Sequence, residues 1–215
     1  MEEIKKILTD KINKIRESRD NLFFVQIGAY DGKSMDDMAN QVIKETDIGV
    51  FIEPNHYIFE KLKYNKNNFS RSLFLDFAVL PHENFYKEYF HIQKTGGGSG
   101  FVRGMLNKNL VESENFELGN IKTLSVKELL NNHLDFIPDV YFIDCEGYDH
   151  DIVLNILEIQ KPEMIYFESW NMIDINNILG KKIFTTRDEI KIILSDFNYE
   201  YIFDEVGENI LAYKL

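Results

Sequence analysis

Residues 23–34 read FFVQIGAYDGKS, and most of the architecture can be worked out from this stretch. An apolar run ends at Gly28, Gly32 follows four positions later, and a segment with helical spacing begins after Ser34. Glycine adopts backbone angles that are closed to other residues, so the pattern predicts a strand, a tight turn and a helix. The spacing is not the dinucleotide fingerprint G-x-G-x-x-G, because Tyr30 stands where that fingerprint needs its second glycine. A smaller ligand, such as an amino acid tail, can lie over such a turn.

The rest of the chain alternates short apolar runs with helical patterns, which is typical of an α/β protein. Five strands are predicted, at 22–27, 48–52, 73–80, 140–143 and 164–167. Two further runs, YEYIFDE and NILAYK, flank the turn Val206-Gly207-Glu208 and predict a C-terminal β-hairpin. Right-handed crossovers place the helices on both faces of such a sheet, which is then mainly parallel and seven-stranded.

Helices are predicted from apolar spacing and from capping residues. Residues 1–20 carry apolar side chains at helical spacing, which indicates an amphipathic N-terminal helix. Capping boxes predict helix starts at Ser34, Ser125 and Thr186. Residues 81–120 are the least regular part of the chain and are expected to form an insertion.

The totals argue against several classes of protein. The chain has 215 residues, which suits one domain, 1–215. Its formal net charge of −12 repels phosphate backbones and anionic lipid surfaces, so neither nucleic acid nor a membrane is an expected partner. Cys145 is the single cysteine, and no apolar stretch has the length of a signal peptide or a membrane span. We therefore expect a cytoplasmic protein, whose oligomeric state the sequence leaves open.

In parallel sheets of this kind, ligands bind at the carboxyl ends of the strands, where the strand order reverses. Glu53 ends the second strand, 53 − 32 = 21 positions after Gly32, where an acidic residue can hold a ribose diol. Asp76 and Phe77 follow in the third strand and could border the base of the same nucleoside, by accepting from an amino group and by covering a ring. The structural alternatives are a solvent-facing glutamate, a solvated aspartate and a core phenylalanine.

The segment IDCEGYDHD at 143–151 is the densest group of titratable residues. In an extended strand Asp144 and Glu146 face one side, and acids this close raise one another's pKa, which suits a proton acceptor. Asp149 and Asp151 also fit a simpler role, because acids in the first turn of a helix stabilise it.

A magnesium site is a second use of the same edge, because Asp144, Glu168 and Asn171 could supply the oxygen ligands that Mg²⁺ takes. The simpler role for Glu168 is to line the pocket of a second substrate. The histidines show no metal-ligand spacing, and the sequence has neither a nucleophile elbow nor a P-loop.

Six segments carry a resemblance to a known family: VQIGAYDG, FIEPN, DFAV, KTLSVKELL, FIDCEGYD and IYFES. From about Leu22 to Trp170 the chain resembles FkbM-type methyltransferases, which are S-adenosylmethionine-dependent O-methyltransferases with the class I Rossmann-like fold. The resemblance implies that Glu53 holds the ribose, that the turn from Gly28 lies under the methionine tail and that Asp144 lies near the sulfonium. The cofactor-binding residues expected from the motifs are Gln26, Gly28, Ala29, Tyr30, Asp31, Gly32, Ser34, Glu53, Pro54, Asn55, Asp76, Phe77, Ala78 and Asp144.

Two positions depart from the family pattern. Many members have an acid where this chain has Gln26, and an asparagine where it has Tyr30. Gln26 can still hydrogen-bond the ammonium group of the donor through its carbonyl oxygen, but without charge.

The residues and the resemblance together predict an O-methyltransferase acting on a hydroxyl of a small-molecule or sugar-like acceptor, the sugar preference coming from the resemblance alone. Glu146, Asp144 and His150 are the expected proton acceptors, in that order. Residues 81–120 are expected to form a lid over the acceptor. The alternatives are a catalytically inactive module that binds S-adenosylmethionine or a nucleotide, and an NAD-dependent oxidoreductase, for which no Tyr/Lys relay or Ser triad is visible.

Overall fold

The computed structural model describes residues 2–34, 38–82, 91–93, 116–118, 121–204 and 208–214. The strands in these residues are β1 Phe23–Ile27, β2 Ile48–Ile52, β3 Ser72–Leu75, β4 Ala78–Leu80, β5 His91–Gln93, β6 Phe116–Leu118, β7 Thr123–Ser125, β8 Val140–Ile143, β9 Met164–Glu168, β10 Tyr199–Phe203 and β11 Asn209–Lys214. The helices are α1 Glu2–Ser18, α2 Met38–Val42, α3 His56–Asn65, α4 Val126–Asn132, α5 Asp149–Ile159, α6 Met172–Leu179 and α7 Arg187–Asp196.

Seven strands form one sheet in the order β10-β11-β9-β8-β1-β2-β3. β11 is antiparallel to both of its neighbours, and the other pairs are parallel. The predicted α/β, Rossmann-like architecture with a C-terminal hairpin is therefore confirmed. The chain order reverses between β1 and β8, and ligands bind at such reversals in sheets of this type.

Helices cover both faces of the sheet, as predicted. One core lies between the sheet and α1 to α3 and includes Leu8, Phe24 and Leu62. The other lies between the sheet and α4 to α7 and includes Val25 and Ile152. Successive residues of β1 enter opposite cores because side chains alternate along a strand. In the part of the chain that is described, no helix combines the length and the apolar composition that crossing a bilayer needs.

Two helix starts follow the predicted capping chemistry. Ser125 and Thr186 each form a complete capping box with the glutamate three positions further on. The box predicted at Ser34 involves residues 35–37, which lie outside the described residues, and α2 is described from Met38.

The third predicted strand, 73–80, is wrong as a single element. The chain leaves the main sheet after Leu75, and β4 pairs instead with β7 in a separate two-stranded sheet. Asp76 lies at the break, where its carboxylate is ion-paired with Lys122 at 2.5 Å. A continued strand would turn this carboxylate toward the apolar face that carries Phe74, which is unfavourable without a buried partner.

Most of the predicted insertion, 81–120, lies outside the described residues. Within it, β5 and β6 pair antiparallel. Asn55 Nδ2, at the start of α3, donates to the Gln93 carbonyl at 2.7 Å, so β5 lies beside the carboxyl edge of the main sheet. The role of a lid over the acceptor stays a prediction.

Candidate active site

The carboxyl ends of four adjacent strands bring acidic residues into one row. The parallel pairs β2–β1, β1–β8 and β8–β9 end at Ile52, Ile27, Ile143 and Phe167. The next residue of each strand, in the same order, is Glu53, Gly28, Asp144 and Glu168, and these four residues form one row. Neighbouring strands lie about 4.8 Å apart, so the three acids are grouped around the point where the strand order reverses. We call these four residues the acidic row.

Two glycines shape the turn after β1, and both are needed by close packing within the protein. Gly28 has a φ of +79°, and a Cβ there would lie 1.8 Å from the carbonyl oxygen of Asp144. Gly32 has a φ of +69°, and a Cβ there would lie 2.8 Å from Leu62 Cδ1. The bare backbone lets β8 and α3 approach the turn, which the sequence had linked only to a ligand.

Tyr30 lies between the glycines with a φ of +48°, a region that non-glycine residues rarely adopt. Asp31 holds the turn, because its carboxylate accepts from the N–H groups of Lys33 and Ser34 at 2.9 and 2.7 Å and from the Ser34 hydroxyl. Burial opposes the charge of Asp31, but these hydrogen bonds outweigh it and its pKa lies below the usual range.

Glu53 is buried, and the protein fixes both of its carboxylate oxygens. Oε2 accepts from the Tyr30 N–H at 2.9 Å and Oε1 from the Asn55 N–H at 2.8 Å. Burial raises the pKa of Glu53 to about 7. The two hydrogen bonds from backbone N–H groups oppose this rise, and the charge of Asp144 adds to it. Each oxygen retains a second lone pair, so this oriented carboxylate can accept hydrogen bonds from a diol.

The turn between β8 and α5 is held by Asp149. Its carboxylate accepts from the Cys145 N–H at 2.9 Å and from the Gly147 N–H at 3.0 Å. Glu146, between them, has a φ of +53°. Burial and the charge of Asp144 raise the pKa of Asp149 to about 8. Asp149 thus fixes the strained backbone that carries Glu146 at the mouth of the sheet.

Glu168 lies at the end of β9, on the opposite side of Asp144 from Gly28. Its Oε2 is buried and has no hydrogen-bond partner among the described residues. Burial and the charges of Asp144, Asp149 and Glu146 raise the pKa of Glu168 to about 9. Within the described ranges, no lysine or arginine forms an ion pair with Glu53, Asp149 or Glu168. This edge of the sheet therefore gathers carboxyl groups, and a cationic ligand would favour their ionised forms.

A family model described as the methyltransferase FkbM domain matches residues 26–201. The match includes all four members of the acidic row. The chain belongs to the FkbM methyltransferase family. The predicted family and enzyme class, an S-adenosylmethionine-dependent methyltransferase, are confirmed, and the Rossmann-like sheet is that of the class I methyltransferases. No curated protein matches the chain.

Several solved structures are similar in fold. A proposed caffeoyl-CoA O-methyltransferase from Staphylococcus aureus is 12% identical, with a TM-score of 0.49 over 97% of this chain and 83% of that chain. An O-methyltransferase from Bacillus cereus, solved with S-adenosylhomocysteine, is 10% identical, with a TM-score of 0.47 over 97% of this chain and 81% of that chain. Magnesium protoporphyrin IX methyltransferase from Synechocystis PCC 6803, also solved with S-adenosylhomocysteine, is 6% identical, with a TM-score of 0.43 over 98% and 83%.

The residues at the acidic row of this FkbM methyltransferase fit its methyl donor. S-adenosylmethionine carries a sulfonium cation and a ribose diol. Glu53 is oriented by two backbone N–H groups and can accept from the diol. The unpartnered Oε2 of Glu168 and the negative charge around Asp144 suit the cation.

His150 differs from the role expected of it. Nδ1 lies 2.8 Å from the Thr185 carbonyl and must donate to it, because a carbonyl only accepts. Nε2 then accepts from the Ser169 hydroxyl at 2.9 Å, and Arg187 Nε donates to the same hydroxyl at 3.0 Å. Burial lowers the pKa of His150 to about 4, so the ring is neutral at pH 7 and its basic nitrogen is occupied. His150 joins α5 to the end of β9, and we do not propose it as the proton acceptor.

Several residues predicted to bind the donor have their side chains engaged within the protein. Asn55 caps α3 by accepting from the Tyr57 N–H at 3.0 Å. The Phe77 ring lies 5.7 Å from Lys122 Nζ, which also pairs with Asp76. Buried positions are held by Gln26 in β1, Ala29 in the turn and Ala78 in β4, while Pro54 is half-buried. Contacts of these residues with the donor stay predictions.

The magnesium alternative finds little support in the arrangement of side chains. Asn171 Nδ2 donates to Asp174 at 2.9 Å, so this amide is engaged at the start of α6. Among the residues that the structure describes, no three His, Cys, Asp or Glu side chains are grouped closely enough to hold a metal ion.

Two supports of the site were missed by reasoning from sequence. Asp149 was read as a helix-stabilising acid, but its carboxylate accepts from the N–H groups four and two positions before it, at Cys145 and Gly147. Arg187 also donates to the Ser169 carbonyl, fixing the backbone directly after Glu168. Nothing local links two residues that are 18 positions apart, so this contact could be found only in the folded structure.

Proposed function

We propose that this FkbM methyltransferase transfers a methyl group from S-adenosylmethionine to a hydroxyl group of a small, uncharged acceptor of sugar-like character. The observation that carries the proposal is the acidic row, in which Glu53 and Asp144 flank Gly28 on neighbouring strands. The carboxylate of Glu53, which can bind the ribose, and the carboxylate of Asp144, which can attract the sulfonium, therefore lie on opposite sides of Gly28.

Glu53 is assigned the ribose. Its orientation is set before any ligand arrives, because the N–H groups of Tyr30 and Asn55 hold both carboxylate oxygens. Hydrogen bonds to a charged group contribute roughly 1.5–3 kcal/mol each, so this one residue can account for much of the donor affinity.

Asp144 and Glu146 are assigned to the place of methyl transfer. When bound, the donor supplies a methyl group on a positively charged sulfur. Asp144 is exposed at the mouth of the sheet, and Glu146 projects from a backbone fixed by Asp149. These carboxylates, carried on a turn whose backbone is held, can align an acceptor hydroxyl, and alignment alone supplies roughly 7–11 kcal/mol of the barrier reduction in favourable cases.

The charge of the site selects among acceptors. A phosphate or carboxylate on the acceptor would lie close to Asp144, Glu146 and Glu168 and would be repelled. A neutral polyol has only hydroxyl groups to offer, and these can donate to the same carboxylates. The sugar-like character itself comes from the family resemblance.

Titration calorimetry with S-adenosylmethionine, and with NAD as the control, tests the donor. Micromolar binding of S-adenosylmethionine without binding of NAD is expected, because Tyr30 stands where the dinucleotide fingerprint needs a glycine and leaves little space for a pyrophosphate. Absence of donor binding at millimolar concentration would contradict the proposal.

A second experiment tests turnover and charge selection. The purified protein is incubated with S-adenosylmethionine and matched pairs of acceptors, each a neutral sugar or polyol and its phosphorylated form, while S-adenosylhomocysteine is measured. We expect turnover with neutral members only, and loss of turnover with retained donor binding in Glu146→Gln. Donor binding without turnover on any acceptor would favour the inactive module.

A further inference from the structure

Glu168 has a feature that the assigned roles do not explain. Its carboxylate lies one strand away from Asp144, and Oε2 is buried without a hydrogen-bond partner among the described residues. Buried polar atoms are normally satisfied, and an exception at a ligand-binding edge points to a partner that arrives with the ligand.

The groups that face Glu168 are mostly acidic. Asp144, Glu146 and Asp149 act on it from the β8–α5 turn, and they raise its pKa in addition to the effect of burial. From its own segment, Trp170 forms a hydrogen bond with the carboxyl group, which works in the opposite direction. Across the sheet its register partner is the uncharged Asn209 on β11.

Two further groups lie just behind Glu168, at Ser169. Arg187 bonds to both the hydroxyl and the carbonyl of Ser169, so its guanidinium is engaged there. His150 is neutral and bonds to the same hydroxyl. No cation pairs with the Glu168 carboxylate among the residues that the structure describes.

We propose that Glu168 carries a proton in the ligand-free protein, releases it to solvent when the positively charged donor is bound, and then accepts the proton of the acceptor hydroxyl. The inference rests on the proposed function, since it needs a sulfonium at the acidic row. A positive charge beside Asp144 offsets the acids that hold the proton on Glu168.

The charges and atoms balance over the cycle. The Glu168 carboxyl group loses one proton as one positive charge enters the site. In the transfer step the acceptor oxygen forms a bond to the methyl carbon, the sulfur–methyl bond breaks, and the hydroxyl proton moves to the Glu168 carboxylate. The neutral thioether product then leaves a protonated Glu168, which is the starting state.

Proton release on donor binding is the direct test. Calorimetric titrations with S-adenosylmethionine in buffers of different ionisation enthalpy, with EDTA present at pH 7.5, give the number of protons released. S-adenosylhomocysteine is the matched control, since it has the same amino and carboxyl groups but no sulfonium charge. We expect the first ligand to release about one proton more than the second.

Two variants locate the proton. Glu168→Gln is expected to bind S-adenosylmethionine without this additional release, whereas Asp76→Asn, whose carboxylate is ion-paired with Lys122 outside the acidic row, is expected to release it as the unchanged protein does. Asp149→Asn tests the other carboxyl group whose pKa is raised beside Asp144. Loss of the release in Asp149→Asn and not in Glu168→Gln would overturn the assignment. Equal release with both ligands in the unchanged protein would also overturn it.

An infrared difference spectrum of the unchanged protein gives a readout that needs no variant. The carbonyl stretch of a protonated carboxyl group should disappear when S-adenosylmethionine binds and persist with S-adenosylhomocysteine. If S-adenosylmethionine did not bind at all, the proposed function would fail; if it bound with neither signal, only the present inference would fail.

Discussion

Buried carboxylates stand at both ends of the central sheet, and they differ in their partners. At the amino end, Asp47 and Asp139 precede β2 and β8, and each pairs with an arginine, Arg16 or Arg19. Each also accepts a backbone N–H at the start of β1, from Leu22 at 3.0 Å or from Phe23 at 2.8 Å. These acids connect the strands to the N-terminal helix region.

At the carboxyl end, Glu53 and Asp149 are buried and accept hydrogen bonds from backbone N–H groups, and Oε2 of Glu168 is buried. No lysine or arginine pairs with these three acids within the described ranges. Their pKa values rise to about 7, 8 and 9, with burial as the main cause. The same type of side chain therefore forms ion pairs at one end of the sheet, and at the other end it has no basic partner and ionises only at higher pH. We therefore expect a ligand to supply the positive charge that these acids lack at the carboxyl end.

The largest effect is expected from breaking a pair at the amino end. Asp47→Asn removes the negative charge that pairs with Arg16. It also replaces one of the two buried carboxylate oxygens, which accept from the N–H groups of Leu22 and Lys44, with an NH₂ group that cannot accept. We expect the free energy of unfolding to fall by roughly 3–5 kcal/mol, as for other buried pairs that lose one partner. Urea unfolding measures it, with Glu60→Gln as the control, because the exposed Glu60–Lys63 pair contributes less than about 0.5 kcal/mol. Equal losses in the two variants would remove the contrast between buried and exposed pairs.

The same acid-to-amide change at the carboxyl end should act in the opposite direction. The pKa of Glu168 is about 9 in the folded protein and near 4.5 when unfolded, so its contribution to stability is present below pH 4.5 and is lost as pH rises toward 9. Glu168→Gln does not ionise and avoids this loss. We expect the free energy of unfolding of the variant to exceed that of the unchanged protein at pH 9 by on the order of 2–3 kcal/mol, after a discount for the partial exposure of Glu168. Near pH 5 we expect the two free energies to be equal. Urea unfolding at both pH values checks this, and a less stable variant at pH 9 would show that the charge of Glu168 is compensated.

A smaller effect is expected on donor binding. Glu53→Gln removes the charge from the ribose carboxylate, and we expect the dissociation constant of S-adenosylmethionine to rise at least tenfold, or about 1.4 kcal/mol. Calorimetry at pH 8, above the pKa of about 7, measures the ionised form. Unchanged affinity in a folded Glu53→Gln protein would place the ribose elsewhere.

The smallest effect is expected at Asp76, which the sequence assigned to the adenine. Its carboxylate is shared with Lys122 at 2.5 Å and is partly exposed. We expect Asp76→Asn to weaken donor binding by less than about threefold, consistent with an exposed pair. A loss as large as that of Glu53→Gln would restore the adenine contact and show that Lys122 moves away when the donor binds.

Much of the site could be predicted because it follows from local pattern. A glycine turn after a buried strand, and acids at the ends of β2, β8 and β9, are visible in the sequence, and the strand-end rule places them at one edge. The break after Leu75 was missed because an apolar run looks continuous on both sides of Asp76, although β4 pairs with β7 instead of β2. The contacts of His150 could not be predicted, because its partners, Ser169 and Thr185, are distant in sequence.

The sequence by itself determined the seven-stranded α/β sheet and the edge where the acids gather, because periodicity, glycine positions and strand ends are local properties. The family came from the resemblance of six segments. Only the tertiary structure decided which acids have counter-charges. Arg16 and Arg19 reach Asp47 and Asp139 across 31 and 120 positions, while Glu168 lies beside Asp144 through strand pairing. Burial and the distances between charges set the pKa of a carboxyl group, and both are fixed only when separate segments of the chain pack together.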